Sequence, residues 1–183
     1  MKLLILSIIM SAALYIPLES LAHDGLPKES SNWRWRIIND GVMGGLSQGK
    51  YRTSEEGTGV FEGTLSLENR GGFSWVRTAK GDPQFAESEG IRLMVRGDGR
   101  TYGLTLDTSD QYNAFSYNHY FVTEKDRWQE IRIPYAEFRA FWFGRKMPML
   151  RITKPGNIRD VGFIISDKKK GPFRLEIGSI GTY

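Results

Sequence analysis

The chain has 183 residues, 40% of them hydrophobic and 13% aromatic, with 21 glycines and no cysteine. Its formal net charge is +4, from 25 basic and 21 acidic side chains, and the surplus gathers into no long run. These numbers exclude a disulfide framework, a thiolate nucleophile and a cysteine-ligated metal, and a chain of this size buries roughly 70% of its unfolded surface without needing a crosslink.

Met1-Lys2 opens with one positive charge, and Leu3 to Leu18 is almost wholly apolar. That run has the length of a signal-peptide core and falls short of the roughly 20 residues that cross a bilayer. Ser20-Leu21-Ala22 puts small residues where a signal peptidase reads, so residues 1–22 are read as a signal peptide cut before His23. The expected location is therefore periplasmic or secreted, with membrane contact only through this segment before cleavage. Residues 23–32 read as a polar leader, and residues 33–183 as the folded domain, expected to be a monomer.

From there, short strand-like runs alternate with turns. Phe61, Leu65 and Leu67 are placed on one face of a strand from Val60. Ile91, Leu93 and Val95 alternate with Arg92, Met94 and Arg96, and Tyr102, Leu104 and Leu106 with Gly103, Thr105 and Asp107. Ile131 and Ile133, then Val161, Phe163 and Ile165, then Phe173, Leu175 and Ile177 repeat the pattern. Period-two alternation buries one face and leaves the other in water. Asn39-Asp40-Gly41, Asn69-Arg70-Gly71-Gly72, Gly97-Asp98-Gly99 and Lys154-Pro155-Gly156-Asn157 are turn chemistry. Only Pro134 to Phe138 reads as a helical turn. Roughly ten short strands at near-regular spacing predict an all-β fold, a jelly-roll β-sandwich.

Several chemistries fail on inspection. Gly44 to Lys50 fits the spacing of a phosphate loop, but Tyr51 stands where a hydroxyl should hold magnesium, and a strand follows instead of a helix. No nucleotide is expected. Lys168-Lys169-Lys170 is a short solvated turn, so no nucleic acid is expected either. The two histidines, His23 and His119, make no metal pair. Asp40, Asp98, Asp107 and Asp167 suit turns better than calcium. No nucleophile elbow exists; paired carboxylates are not excluded, but nothing singles out a pair. The expectation is a non-catalytic protein without metal or cofactor.

Aromatic and basic residues on strands remain. Phe73, Trp75 and Arg77 share one face; Ser116, Asn118 and Tyr120 form one face of the next aromatic strand, and Phe115, Tyr117, His119 and Phe121 the other. The candidate ligand-binding residues are Asn69, Trp75, Arg77, Arg96, Tyr117, His119, Trp142 and Arg145, because Arg beside exposed aromatics suits sugars or proteins. Asp40, Gly41, Gly44, Gly45 and Gly72 are assigned to structural turns, with Gly44 and Gly45 in conformations other residues resist.

Asn39-Asp40-Gly41-Val42-Met43-Gly44-Gly45-Leu46-Ser47 resembles the signature of the complex I intermediate-associated protein 30 family. Similar blocks follow in order: Phe61 to Asn69, Gly71-Gly72-Phe73-Ser74 with Arg77, Gly97 to Arg100 with Tyr102, Trp128-Gln129 with Ile133-Pro134, and Gly171-Pro172-Phe173 with Leu175-Glu176-Ile177. The resemblance runs from about Trp33 to Tyr183. It implies a galactose-binding-domain-like jelly roll, no catalytic residues, and kinship with mitochondrial proteins that help assemble respiratory complex I. The secretory start departs from those members. The expected function is thus an exported, chaperone-like or assembly-factor domain that binds a protein partner. The alternative is a carbohydrate-binding module acting on cell-envelope or extracellular glycans.

Overall fold

The computed structural model describes residues 33–79, 85, 88–108, 115–142, 145–152 and 155–183. The signal segment and leader expected over residues 1–32 lie outside these residues, as do Phe143, Gly144 and Lys154.

Twelve strands are described: β1 (Trp35–Asn39), β2 (Gln48–Thr53), β3 (Gly59–Leu65), β4 (Ser74–Thr78), β5 (Gly90–Arg96), β6 (Thr101–Asp107), β7 (Phe115–Val122), β8 (Trp128–Pro134), β9 (Arg139–Trp142), β10 (Arg145–Met147), β11 (Asp160–Ile165) and β12 (Gly171–Thr182). They form a seven-stranded sheet ordered β1-β4-β11-β6-β7-β9-β10 and a five-stranded sheet ordered β2-β3-β12-β5-β8. Every pairing between these strands is antiparallel. The all-β sandwich expected from the alternation is what the chain adopts.

The core lies between the sheets because each contributes one face of its alternating strands. Val76, Leu104, Phe121 and Phe163 come from the larger sheet, and Phe61, Leu93, Ile133 and Leu175 from the smaller. Each large apolar side chain so buried contributes about 1.5–3 kcal/mol. The helical turn expected at Pro134–Phe138 is a single 3-10 turn, Tyr135–Glu137, with Tyr135 buried. Leu67 departs from expectation. β3 ends at Leu65, and Leu67 is 42% exposed, because the chain leaves the sheet to enter a 3-10 turn at Glu68–Arg70.

Candidate functional site

The outer face of the seven-stranded sheet carries the most elaborate polar and aromatic arrangement. With Val76, Phe163, Leu104 and Phe121 turned inward, their neighbours point out. Register aligns Ile38, Trp75, Ile164, Gly103 and Tyr120 in one row across five strands. The next row is Arg36, Arg77, Gly162, Thr105, Asn118 and Arg139. Asp160 and Asp107 stand opposite each other in the row after that.

Two glycines let aromatic rings lie flat on this face. A Cβ on Gly162 would stand 2.8 Å from both Trp75 Nε1 and Thr105 Oγ1. Its absence lets Trp75 reach across β11 and donate from Nε1 to Thr105 Oγ1 at 2.9 Å. Gly103 does the same for Tyr120, whose Cε1 a Cβ would approach to 2.9 Å. The Arg77 guanidinium sits 4.2 Å from the Trp75 ring centroid. Its Nε donates to Asp160 Oδ1 at 3.0 Å and its Nη2 to Asp107 Oδ2 at 3.2 Å. Trp75, Arg77, Thr105, Asp107 and one oxygen of Asp160 are thus hydrogen-bonded within the cluster. Burial pushes the Asp160 carboxyl above its ordinary value; Arg77 and then Arg36 only partly counter this, and Asp107 adds to it. Among the described residues, two buried side-chain acceptors have no hydrogen-bond partner, Asn118 Oδ1 and Asp160 Oδ2, the latter with Arg36 Nη2 at 3.7 Å.

The eight residues selected from the sequence are not brought together. Trp75 and Arg77 meet as described. Arg96 lies on the outer face of the other sheet, 5.1 Å over the Trp128 ring and paired with Glu176, beside a polar hollow of about 370 Å³ lined also by Arg52 and Arg174. Tyr117 and His119 share the inward parity of Phe121. Tyr117 packs against the core, and His119 Nδ1 stands 3.5 Å from Glu137. Trp142 and Arg145 pair where β9 meets β10 at the sheet margin. Asn69 has φ of 54° and donates from Nδ2 to Gly44 O at 3.2 Å, bracing a turn. Thr105, Asp107, Tyr120 and Asp160 are not among the binding residues selected from the sequence. Their alternation was visible, but not which strands adjoin them.

The turn residues converge on Asp40, which is fully buried. Its Oδ1 accepts from the Ser47 N–H at 2.9 Å, and its Oδ2 from the Ser47 hydroxyl at 2.6 Å, the Gly72 N–H at 2.6 Å and the Phe73 N–H at 3.3 Å. Burial pushes this carboxyl up, but the Ser47 hydroxyl and the Gly72, Ser47 and Phe73 N–H groups outweigh it and hold the carboxyl below its ordinary value. Gly44 and Gly72 have φ of 87° and 131°, conformations that favour glycine. Gly45 does not; it is required by space, since a Cβ would stand 2.3 Å from Asp40 Cγ. A Cβ on Gly41 would meet nothing within 4 Å.

Residues 26–177 match the family described as complex I intermediate-associated protein 30. Among curated relatives, the mitochondrial protein of that name from Mus musculus is 27% identical over 171 residues, covering 82% of this chain and 52% of the relative. That from Drosophila melanogaster is 26% identical over 170 residues, covering 81% and 57%. The chain thus spans about half the length of these relatives. Among solved structures, the family 11 carbohydrate-binding module of a cellulosomal cellulase of Clostridium thermocellum aligns with a TM-score of 0.55 at 15% identity, covering 80% of this chain and 86% of that one. A family 11 module of the same organism, in complex with a mixed-linked tetrasaccharide, aligns with a TM-score of 0.52 at 15% identity, covering 83% and 91%. These likenesses show the galactose-binding-like sandwich. The periplasmic or secreted location expected from residues 1–22 is overturned, because the named relatives are mitochondrial proteins and point to a mitochondrial location instead.

Proposed function

The chain belongs to the complex I intermediate-associated protein 30 family, and from that premise we propose that it is a non-catalytic assembly factor for respiratory complex I. It holds a protein partner on the outer face of its seven-stranded sheet. The observation that supports this reading best is the closure of the Trp75 cluster. Trp75 lies between Gly162 and Arg77, with its N–H already given to Thr105. The face thus carries an apolar band of Ile38, Trp75, Ile164 and Tyr120 beside a row that holds Arg36, Arg77 and Arg139. Aromatic side chains in the centre and arginines around them are the composition of protein interfaces. Affinity capture from detergent-solubilised mitochondrial membranes tests it. The wild-type chain should recover complex I subunits, and Tyr120→Asp should lose them without a change in melting temperature. Equal recovery by both proteins contradicts the reading.

A second reading is favoured by Asn118 Oδ1, a buried acceptor without a hydrogen-bond partner on the same strand face as Tyr120. A polyhydroxylated ligand stacked on Tyr120 would bring the donor it lacks. Calorimetry with oligosaccharides decides it, since heat lost in Asn118→Ala supports a glycan site and no heat at any concentration removes it.

A further inference from the structure

At the end of the sandwich where β1 stops and β2 begins, apolar side chains stand in water. Val42 is 76% exposed, Met43 65%, Leu46 52% and Leu67 42%. They sit on turns that the buried Asp40 ties together, so the turns are braced. Asn69 adds a bond from the second turn to the first. Val122, 65% exposed, ends β7 at the same end, opposite Thr101.

Exposed cations surround this tip. Lys168, Lys169 and Lys170 are all exposed, and Lys170 Nζ lies 4.0 Å from Glu68, next to Leu67. Arg100 braces the lysine turn from beneath, donating to Asp167 Oδ1 at 2.6 Å and to Pro172 O at 2.7 Å, and also to the carbonyl of Lys169. Arg70 and Lys125 are exposed nearby. Among the described acids of this end, Asp167 is engaged by Arg100, Asp98 by Tyr102 and the Arg174 N–H, Glu124 by Arg127 and Glu68 by Lys170, while Asp126 is exposed beside Lys125. At the opposite end, among the described residues, Glu55, Glu56, Glu89 and Glu137 are exposed alongside Arg34 and Arg52.

We infer that the Val42–Met43–Leu46–Leu67 tip docks the protein on a bilayer rich in anionic lipid. The tip enters the headgroup region while the lysine turn meets the phosphates. Two features favour a bilayer over a protein here. The apolar groups are flexible aliphatic side chains on convex turns, whereas protein hot spots favour Trp, Tyr and Arg in pockets. The cations are consecutive lysines, which act as point charges on a diffuse anionic surface and make no bidentate pairs. Apolar insertion and lysine attraction add, which is how peripheral proteins reach stable binding. This surface is separate from the proposed partner face and does not depend on it.

The chain has no cysteine, so an environment-sensitive fluorophore can be placed at one position in it. With Met43→Cys labelled, vesicles of phosphatidylcholine and phosphatidylserine, about 7:3, should shift emission to the blue, and vesicles of phosphatidylcholine alone should not. A label on Glu56→Cys, at the opposite end, should stay in water with both. The readout is local, so a bilayer held by residues 3–18 does not by itself register at position 43. Adding Lys168→Gln, Lys169→Gln and Lys170→Gln should raise the lipid concentration at half-response about a hundredfold. About 0.5 M sodium chloride should have a similar effect. No shift at position 43, an equal shift with uncharged vesicles, an equal shift at position 56, or an undiminished response in the lysine variant would each overturn the inference.

Discussion

Asp40→Asn tests whether one buried carboxylate organises the signature turns. The substitution keeps size and shape but removes the charge and turns one acceptor into a donor. In the native protein both oxygens are committed, Oδ1 to the Ser47 N–H and Oδ2 to the Ser47 hydroxyl and two further N–H groups. An amide placed either way faces at least one N–H with its own NH₂. Hydrogen bonds to a charged group contribute about 1.5–3 kcal/mol each, and a buried donor left unpaired costs about 1–3 kcal/mol. Losing one such bond and stranding one donor therefore costs about 3–5 kcal/mol. For a domain of this size that lowers Tm by about 10 °C. The sign with pH follows from the depressed carboxyl. A folded-state value below the unfolded one stabilises the protein above the unfolded value, near pH 4, and that stability is lost as pH falls through the folded value. Urea unfolding should show the wild type keeping its advantage over Asp40→Asn from pH 7 to about pH 4 and losing part of it between about pH 4 and pH 3. A variant that melts within about 2 °C of the wild type at pH 7 refutes the reasoning.

Three further outcomes follow from the same geometry. Gly45→Val drives a methine carbon into the Asp40 carboxyl, where a Cβ already stands 2.3 Å from Cγ; overpacking of this kind costs about 1–3 kcal/mol, read by thermal denaturation. Gly162→Ala sets its methyl against Trp75 Nε1 and Thr105 Oγ1, both 2.8 Å away, so tryptophan emission should shift to the red as the ring lifts; unchanged emission means the ring does not lie there. Arg77→Met strips Asp160 of its nearest partner and leaves a buried carboxylate with only Arg36 at 3.7 Å, which costs about 3–5 kcal/mol by denaturant titration.

Much of the fold was legible because period-two alternation is a local signal. Phe61 with Leu65, Leu104 with Leu106, and Phe163 with Ile165 all reach the core as their spacing implied. Leu67 escaped because alternation does not say where a strand ends. The Asp40 turn was readable as a turn, but not as a hub. Its partners at Gly72 and Phe73 lie more than 30 residues away, and nothing local reports such a contact. The candidate face was half legible for a similar reason. Trp75 and Arg77 share a strand, so their common direction followed from spacing. Asp160 and Asp107 reach Arg77 only through the order β4-β11-β6, which composition and spacing do not encode. His119 and Tyr117 looked like binding residues from chemistry alone, whereas parity with Phe121 turns them toward the core. The location expected from the first residues is overturned for another reason, since the named relatives are mitochondrial.

Photo-crosslinking from the outer face tests the central claim most directly. A photoreactive residue replaces Tyr120 in one protein and Arg132, on the five-stranded sheet, in a second, and both are expressed in cells that assemble complex I. The account predicts a discrete adduct with a complex I subunit from position 120 and none from position 132. No adduct from position 120, or the same adduct from both positions, contradicts it.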